Sequence, residues 1–160
     1  MIPKRDLMIV AELRQNARKT LTEISRKTSI PVSTIHDRIQ YCQKGLIKKH
    51  ATLIDFSRLG FNTRANIMLK VSNDSREEAE KFLLKHNSIN CVYKAGSGFD
   101  FLAEGIFKDI KEMEDFIDML RRKVQAERIE VCHIIEDLKR ESFLNDQKSL
   151  GIVPQGGPGK

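Results

Sequence analysis

A short stretch beginning near Val32 concentrates side chains that can hydrogen-bond the edges of nucleic-acid bases. Ile35 and Ile39 are four residues apart, which places both on the buried face of a helix. The opposite face then carries hydroxyl, imidazole, carboxylate, amide and amine groups, at Ser33, Thr34, His36, Asp37, Gln40 and Lys44. A helix with a small-polar and basic outer face is suited to the major groove of DNA. An ordinary helical hairpin whose polar face is merely solvated gives the same pattern.

The segment before this helix has the signals of a second, shorter helix. Thr20 and Glu23 form the sequence pattern of a capping box, and Pro31 ends the helix because proline restricts the residue before it. Two short helices at a tight turn describe a helix-turn-helix. A first helix ending near Asn16, with Leu7, Val10 and Leu13 on one stripe, completes a three-helix domain over residues 1–47.

Positive charge is concentrated in the same part of the chain. Residues 1–58 carry 12 Lys and Arg against 5 Asp and Glu, whereas residues 59–160 carry 16 against 17. Such a basic half can neutralise phosphates, and Arg18 and Lys19 lie at the joint between the first two helices. Because the cations are scattered among structured segments, the pattern does not favour a polybasic membrane anchor. No segment has the length of a membrane span, so we expect a cytoplasmic protein without a membrane partner.

The second half of the chain alternates between strand and helix patterns. The predicted strands cover residues 65–71, 89–95, 99–107 and 128–137, and the predicted helices cover residues 75–86 and 109–125. This βαββαβ order over residues 63–141 predicts a ferredoxin-like domain, so the fold class is α+β. One face of the sheet stays uncovered, which predicts a homodimer. Residues 48–62 are expected to form a linking strand and turn, and residues 142–160 a flexible tail.

The sequence contains no pattern typical of catalysis or metal binding. Cys42, Cys91 and Cys132 are widely separated, and no histidine is spaced to complete a zinc set. No nucleophile–base pair or phosphate-binding glycine loop stands out. We therefore predict no catalytic residues, no metal and no cofactor.

Several short fragments, in this order and spacing, resemble the Lrp/AsnC (leucine-responsive, feast/famine) family of transcription regulators. They are Asn16-Ala17-Arg18, Ser33-Thr34-Ile35, Arg38-Ile39, Gly45-Leu46-Ile47, Leu59-Gly60 and Gly98-Phe99-Asp100-Phe101-Leu102. The resemblance covers roughly residues 6–141. It implies a DNA-binding head and a body that assembles the protein into dimers or octamers and responds to an effector, often an amino acid. It also implies pairing of the linking strands of two subunits.

The resemblance assigns roles to individual residues. Ser33, Thr34, His36 and Asp37 stand where base-reading side chains would lie, and Asp37 could accept from a cytosine amino group. The positions that would contact the DNA backbone are Arg38, Gln40, Lys44, Lys48 and Lys49. A salt bridge within the helical domain is the alternative role for Arg38.

The sequence departs from the family pattern at three places. Pro31 stands where a hydroxyl residue usually caps the recognition helix, and the stretch from Arg38 to Gly45 is one residue shorter than in most relatives. Amino-acid-binding members usually carry a T-G-x-x-D turn, which here lacks its threonine. The expected effector site consists of Gly96, Ser97, Gly98 and Asp100. A tight turn that requires positive φ explains these glycines equally well.

Two other functions share these features. A low-specificity architectural protein would need the same basic helical domain to bind double-stranded DNA. A tetrapyrrole decarboxylase would resemble the same two-domain family, although such an enzyme has no need of a basic head. Sequence-specific regulation remains the principal prediction.

Overall fold

The computed structural model describes residues 2–154, which divide into two compact units. One unit combines the chain up to Thr52 with the chain from Leu138 onward, and we call it the head. The other unit, Leu53–Asp137, is called the body. The chain therefore passes from head to body and back again.

Three helices build the N-terminal part of the head: α1 (Lys4–Gln15), α2 (Leu21–Thr28) and α3 (Val32–Gln43). The predicted capping box is confirmed, because the Glu23 N–H donates to Thr20 Oγ1 at 3.2 Å and the Thr20 N–H donates to the Glu23 carboxylate at 2.7 Å. Ser29, in the left-handed conformation at φ 58°, ends α2. Pro31 precedes α3 without any side-chain cap, so the hydroxyl cap typical of the family is absent.

The centre of the head is an isoleucine cluster contributed by all three helices. Ile9, Ile24 and Ile35 are fully buried, and Leu13 and Ile39 pack against them. The sequence predicted Leu7, Val10 and Leu13 on one inner stripe of α1, and this was partly wrong. Leu7 belongs to a separate cluster with Ala11 and Leu150, because α1 is buried on two faces rather than one.

The body is a four-stranded antiparallel sheet with two helices, as the βαββαβ pattern predicted. Its strands run in the spatial order β2-β3-β1-β4. The strands are β1 (Thr63–Val71), β2 (Ile89–Lys94), β3 (Phe101–Phe107) and β4 (Ala126–His133), and the helices are α4 (Arg76–Lys85) and α5 (Ile110–Val124). Alternation in β1 points Ala65, Ile67, Leu69 and Val71 into a core shared with both helices.

The other face of the sheet carries mixed polar and apolar side chains. Arg64 Nε donates to Glu104 at 2.7 Å, and its two terminal nitrogens donate to Asp137 at 2.8 Å each. The amide of Asn90 donates to the second oxygen of Glu104 at 2.6 Å. The hydrogen bonds that Arg64 donates raise its pKa, and those to Asp137 have a larger effect than the one to Glu104. Tyr93 on the same face is 58% exposed.

Two predicted segments differ in the structure. Residues 48–55 form no strand, since a strand needs a neighbouring ladder and no strand of the same chain pairs with them among the described residues. The predicted flexible tail is ordered over part of its length: Gln147–Ile152 is a 3₁₀ helix, and Leu150 is buried against α1. Its last residues, 155–160, lie outside the described residues.

His86 occupies a half-buried aromatic site in the body. Its ring centroid lies 4.7 Å from that of Phe116 and 5.6 Å from that of Phe82. Nδ1 accepts a hydrogen bond from the Ser88 N–H at 3.2 Å, which requires that nitrogen to be unprotonated. Burial lowers the pKa of His86, and the negative charge of Glu112 only partly offsets that effect.

We therefore expect the body to lose stability as the pH falls below about 6.5, the ordinary histidine pKa. In this window the unfolded chain binds a proton at His86 before the folded chain does, so protonation favours unfolding. Thermal unfolding between pH 7.5 and pH 5.5 measures the effect, and His86→Asn should flatten the slope. His133→Asn is the matched control, because His133 is an exposed histidine in the same unit. An unchanged slope in His86→Asn would contradict the assignment.

Candidate nucleic-acid interface

The outer face of α3 is open to solvent and polar along its length. Five of the residues predicted to face DNA are exposed, and the sixth, Thr34, is half-buried; the exposed ones are Ser33, His36, Asp37, Gln40 and Lys44. Ile35, on the opposite side of the helix, is fully buried in the core of the head, so the exposed side chains lie on the side of α3 that faces away from that core. The structure therefore places them together on one surface of the helix.

Three of these side chains form a hydrogen-bonded row. His36 Nδ1 lies 3.4 Å from Asp37 Oδ1, and the amide nitrogen of Gln40 lies 3.3 Å from His36 Nε2. The row presents a carboxylate acceptor, an imidazole and an amide with both donor and acceptor atoms. These groups can match the donor and acceptor pattern of base edges in a major groove.

Arg38 lies elsewhere, at the joint between α3 and α1. Its Nε donates to Asp6 Oδ1 at 2.7 Å, a second nitrogen donates to Asp6 Oδ2, and the guanidinium stacks over Tyr41 at 4.4 Å. The hydrogen bond to Asp6 is the main reason that the pKa of Arg38 is raised. Asp6 itself is fully buried. Of the two roles considered for Arg38, this geometry supports the salt bridge within the head.

Sequence reasoning did not identify Asp6. Its signal was present, because Asp6 lies three and seven residues before Ile9 and Leu13 and so shares their buried helical face. A carboxylate on such a face requires a cationic partner.

Lys19 is also engaged inside the head. Its amine donates to Glu12 Oε2 at 2.6 Å and to Gln15 Oε1 at 2.7 Å, and its side chain is 12% exposed. Burial by itself would raise the pKa of Glu12. The pKa is lowered nevertheless, because Glu12 accepts hydrogen bonds from Lys19 and Gln147 and lies near the positive charges of Lys19 and Lys27. Lys19 thus neutralises a buried acid, whereas its neighbour Arg18 is exposed.

Other exposed cations lie in the segments that precede and follow α3 in the chain. The predicted backbone-contacting residues Lys48 and Lys49 are exposed in the irregular segment that follows it. Sequence reasoning did not consider Arg26 and Lys27, two exposed cations in the last turn of α2, of which Lys27 lies 3.7 Å from the Glu12 carboxylate. The two adjacent basic residues near the end of α2 were the sequence feature that could have identified them.

The candidate effector residues meet at the turn between β2 and β3. Ser97 and Gly98 adopt left-handed backbone at φ 57° and 95°, while Gly96 does not. The Asp100 carboxylate accepts from the Val71 N–H at 3.0 Å and pairs with Arg76 at 2.7 Å and Lys70 at 3.2 Å. The Val71 hydrogen bond, opposed by burial and aided by these two cations, lowers the pKa of Asp100. Asp100 therefore anchors the turn to the end of β1.

Within residues 2–154, no cluster of three or more His, Cys, Asp or Glu side chains could hold a metal ion. No helix in that range is long and apolar enough to cross a membrane.

Two protein families match the chain in the order of its domains. Residues 2–48 match a winged helix-turn-helix DNA-binding family, and residues 64–143 match the Lrp/AsnC ligand binding domain. The first of these ranges contains α1, α2 and α3 and no strand.

Related sequences and structures agree with these matches. An uncharacterized HTH-type transcriptional regulator of Pyrococcus furiosus is 34% identical over 86% of this chain and 94% of its own length. The HTH-type transcriptional regulator FL11 of the same organism is 31% identical over 84% of this chain and 87% of its own length. A Neisseria meningitidis transcriptional regulator, solved in complex with L-Met, shares the fold with a TM-score of 0.81 at 19% identity, covering 88% of this chain and 94% of its own. The relatives support neither the architectural nor the decarboxylase alternative.

The Asp6–Arg38 pair predicts an effect on stability that a DNA contact would not produce. Arg38→Met should lower the melting temperature of the head, without DNA, by about 10 °C or more, because it removes both hydrogen bonds to a fully buried carboxylate and leaves it only a 3.9 Å contact with the exposed Arg5. Calorimetry measures the change, and Lys44→Met, an exposed cation just beyond α3, is the matched control. Adding Asp6→Asn to Arg38→Met should restore part of the loss. Weaker DNA binding at an unchanged melting temperature would instead assign Arg38 to the DNA backbone.

Proposed function

Since the chain belongs to the Lrp/AsnC family of DNA-binding transcriptional regulators, we propose that it binds specific operator sites as a dimer. Two copies of α3 would enter successive major grooves on one face of the duplex, about 34 Å apart, on a pseudo-palindromic site. Occupation of such a site within a promoter would block polymerase. The observation that carries this proposal is the exposed polar face of α3 behind a fully buried Ile35.

The exposure and the ion pairs of side chains in the head suggest which residues would contact base edges and which would contact phosphates. Ser33, His36, Asp37 and Gln40 are proposed to read base edges, because they are exposed on one surface and three of them form the hydrogen-bonded row. The exposed cations Arg18, Lys44, Lys48 and Lys49 are proposed to contact phosphates. Arg38 and Lys19 are left out of both groups, since each is bound to a buried acid of α1.

The open face of the body sheet is the proposed dimer surface. An antiparallel sheet with helices on one side leaves its other side to solvent or to a second subunit. Here that side carries Tyr93, 58% exposed, beside the half-buried Met68 and Leu102. Further assembly to an octamer is proposed only by analogy with the family.

The turn of Gly96, Ser97, Gly98 and Asp100 is the proposed effector site, with an amino acid as the ligand class. Its support is the match of residues 64–143 to a ligand-binding domain and the left-handed backbone that shapes the turn. The Asp100 carboxylate is already paired with Lys70 and Arg76, so it would orient the turn rather than contact the ligand directly. An effector would then be held mainly by backbone groups of the turn.

The decisive experiment is DNA binding across a salt series, comparing the protein's own promoter with a scrambled fragment of equal length. Selective retention of the promoter as salt rises supports a sequence-specific regulator. Equal loss of both fragments would favour the architectural alternative. Absence of binding even at low salt would contradict DNA binding altogether.

Substitutions at the two kinds of contact should behave differently. The double change Lys48→Gln and Lys49→Gln should weaken binding to promoter and scrambled fragment alike and reduce the salt slope by about two, since two phosphate contacts are lost. Ser33→Ala should leave that slope unchanged while lowering the ratio of promoter to scrambled affinity by up to about tenfold. Titration of both fragments at several salt concentrations measures both quantities. A lysine pair that altered the ratio instead would show that the division of contacts is wrong.

A further inference from the structure

Helix α1 has two buried faces, and only one of them faces the other helices of the helix-turn-helix. Ile9 and Leu13 point into the isoleucine cluster with α2 and α3. Leu7 and Ala11, about half a helical turn away, contact Leu150 from the far end of the chain instead. Leu150 is 6% exposed, and Leu144 and Val153 pack beside it. The second face of α1 is therefore buried by the C-terminal segment.

Polar contacts hold the same segment on α1. Arg14 Nε donates to the Phe143 carbonyl at 2.5 Å, and a terminal nitrogen of Arg14 lies 3.2 Å from the Glu141 carbonyl and 3.3 Å from its carboxylate. The amide of Gln147 donates to the buried Glu12 at 3.2 Å. Glu12 thus accepts hydrogen bonds from the turn before α2 and from the C-terminal segment, and it forms an ion pair with Lys27 of α2.

The backbone of the segment is held in an unfavourable conformation. Glu141 and Leu144 have φ of 50° and 56°, in the left-handed region that non-glycine residues seldom adopt. Such residues persist where surrounding contacts determine them, and here Arg14 and the Leu7–Leu150 cluster provide those contacts. Residues 144–154 also lie beyond both regions of family similarity.

The segment begins at an anchor in the body. Asp137 is the last residue of the body and pairs with Arg64 through two hydrogen bonds of 2.8 Å. Only Leu138, Lys139 and Arg140 separate this anchor from Glu141, which contacts Arg14 in the head. Three residues of chain therefore connect Asp137 of the body to the first residue of the segment that contacts α1.

We propose that residues 138–154 form a clamp that holds α1 in its DNA-binding position and lets the state of the body alter DNA affinity. The clamp acts through α1 because α1 supplies both buried acids, Asp6 and Glu12, that fix Arg38 of α3 and Lys19 before α2. Loosening α1 would disturb the presentation of α3. This proposal rests on DNA binding by the head, yet its first test needs no DNA.

Hydrogen exchange of the full chain tests the clamp directly. Leu150→Asp should increase amide exchange in α1 by about tenfold or more, because a charge cannot remain buried against Leu7 and Ala11. Exchange in β1 and β3 should be unchanged, which shows that the body is folded. Ile152→Asp is the matched control, since Ile152 is 60% exposed on the same 3₁₀ helix. Wild-type exchange of α1 in Leu150→Asp would overturn the clamp.

DNA affinity and the body anchor test the regulatory part. Leu150→Asp should bind the promoter roughly tenfold more weakly than the wild type, and tighter binding would overturn the proposed direction. Asp137→Asn should also increase exchange in α1, whereas the exposed neighbour Glu136→Gln should not. An effect of Leu150→Asp without any effect of Asp137→Asn would overturn the coupling and leave only a structural contact. Failure of the wild type to bind DNA would refute the proposed function while leaving the exchange results interpretable.

Discussion

A carboxylate buried as completely as that of Asp6 must have a counter-charge within hydrogen-bonding distance, because an isolated charge in a protein interior is strongly unfavourable. Arg38 supplies it with two hydrogen bonds, and so fixes the rotation of α3 relative to α1. With the rotation fixed, Ile35 faces the isoleucine cluster, while His36, Asp37 and Gln40 face solvent. The polar surface proposed to bind DNA therefore depends on an ion pair that is not itself part of that surface.

Buried carboxylates also take up part of the positive charge of the N-terminal half. Part of that charge neutralises acids of α1, through Arg38 at Asp6 and through Lys19 and Lys27 at Glu12. The cations proposed to contact phosphates are those at exposed positions, such as Arg18, Lys48 and Lys49. A positive net charge favours the binding of a polyanion, but ion pairing decides which side chains are available to bind it.

In the body, charged side chains form ion pairs at two places, the open face of the sheet and the turn after β2. Glu104 and Asp137 on either side of Arg64 order the uncovered face of the sheet, and Asp100 ties the turn after β2 to the end of β1. Neither arrangement involves the hydrophobic core, whose buried residues come from β1, β3 and the two helices, with side chains of β2 and β4 packed against them. The surfaces proposed for assembly and for an effector can therefore vary without changing the fold.

The sequence by itself determined the three helices, the βαββαβ order and the capping box, because periodicity and local hydrogen bonds depend on neighbouring residues. It also placed Ser33, His36 and Gln40 on an outer face. Only the tertiary structure decided that Arg38 and Lys19 turn inward, since their acids lie in α1 while Arg38 lies in α3 and Lys19 in the turn before α2. The same holds for the clamp: nothing near Leu150 in sequence indicates that it packs on Leu7, more than 140 residues away. Contacts between distant parts of a chain leave no periodic signal in either part.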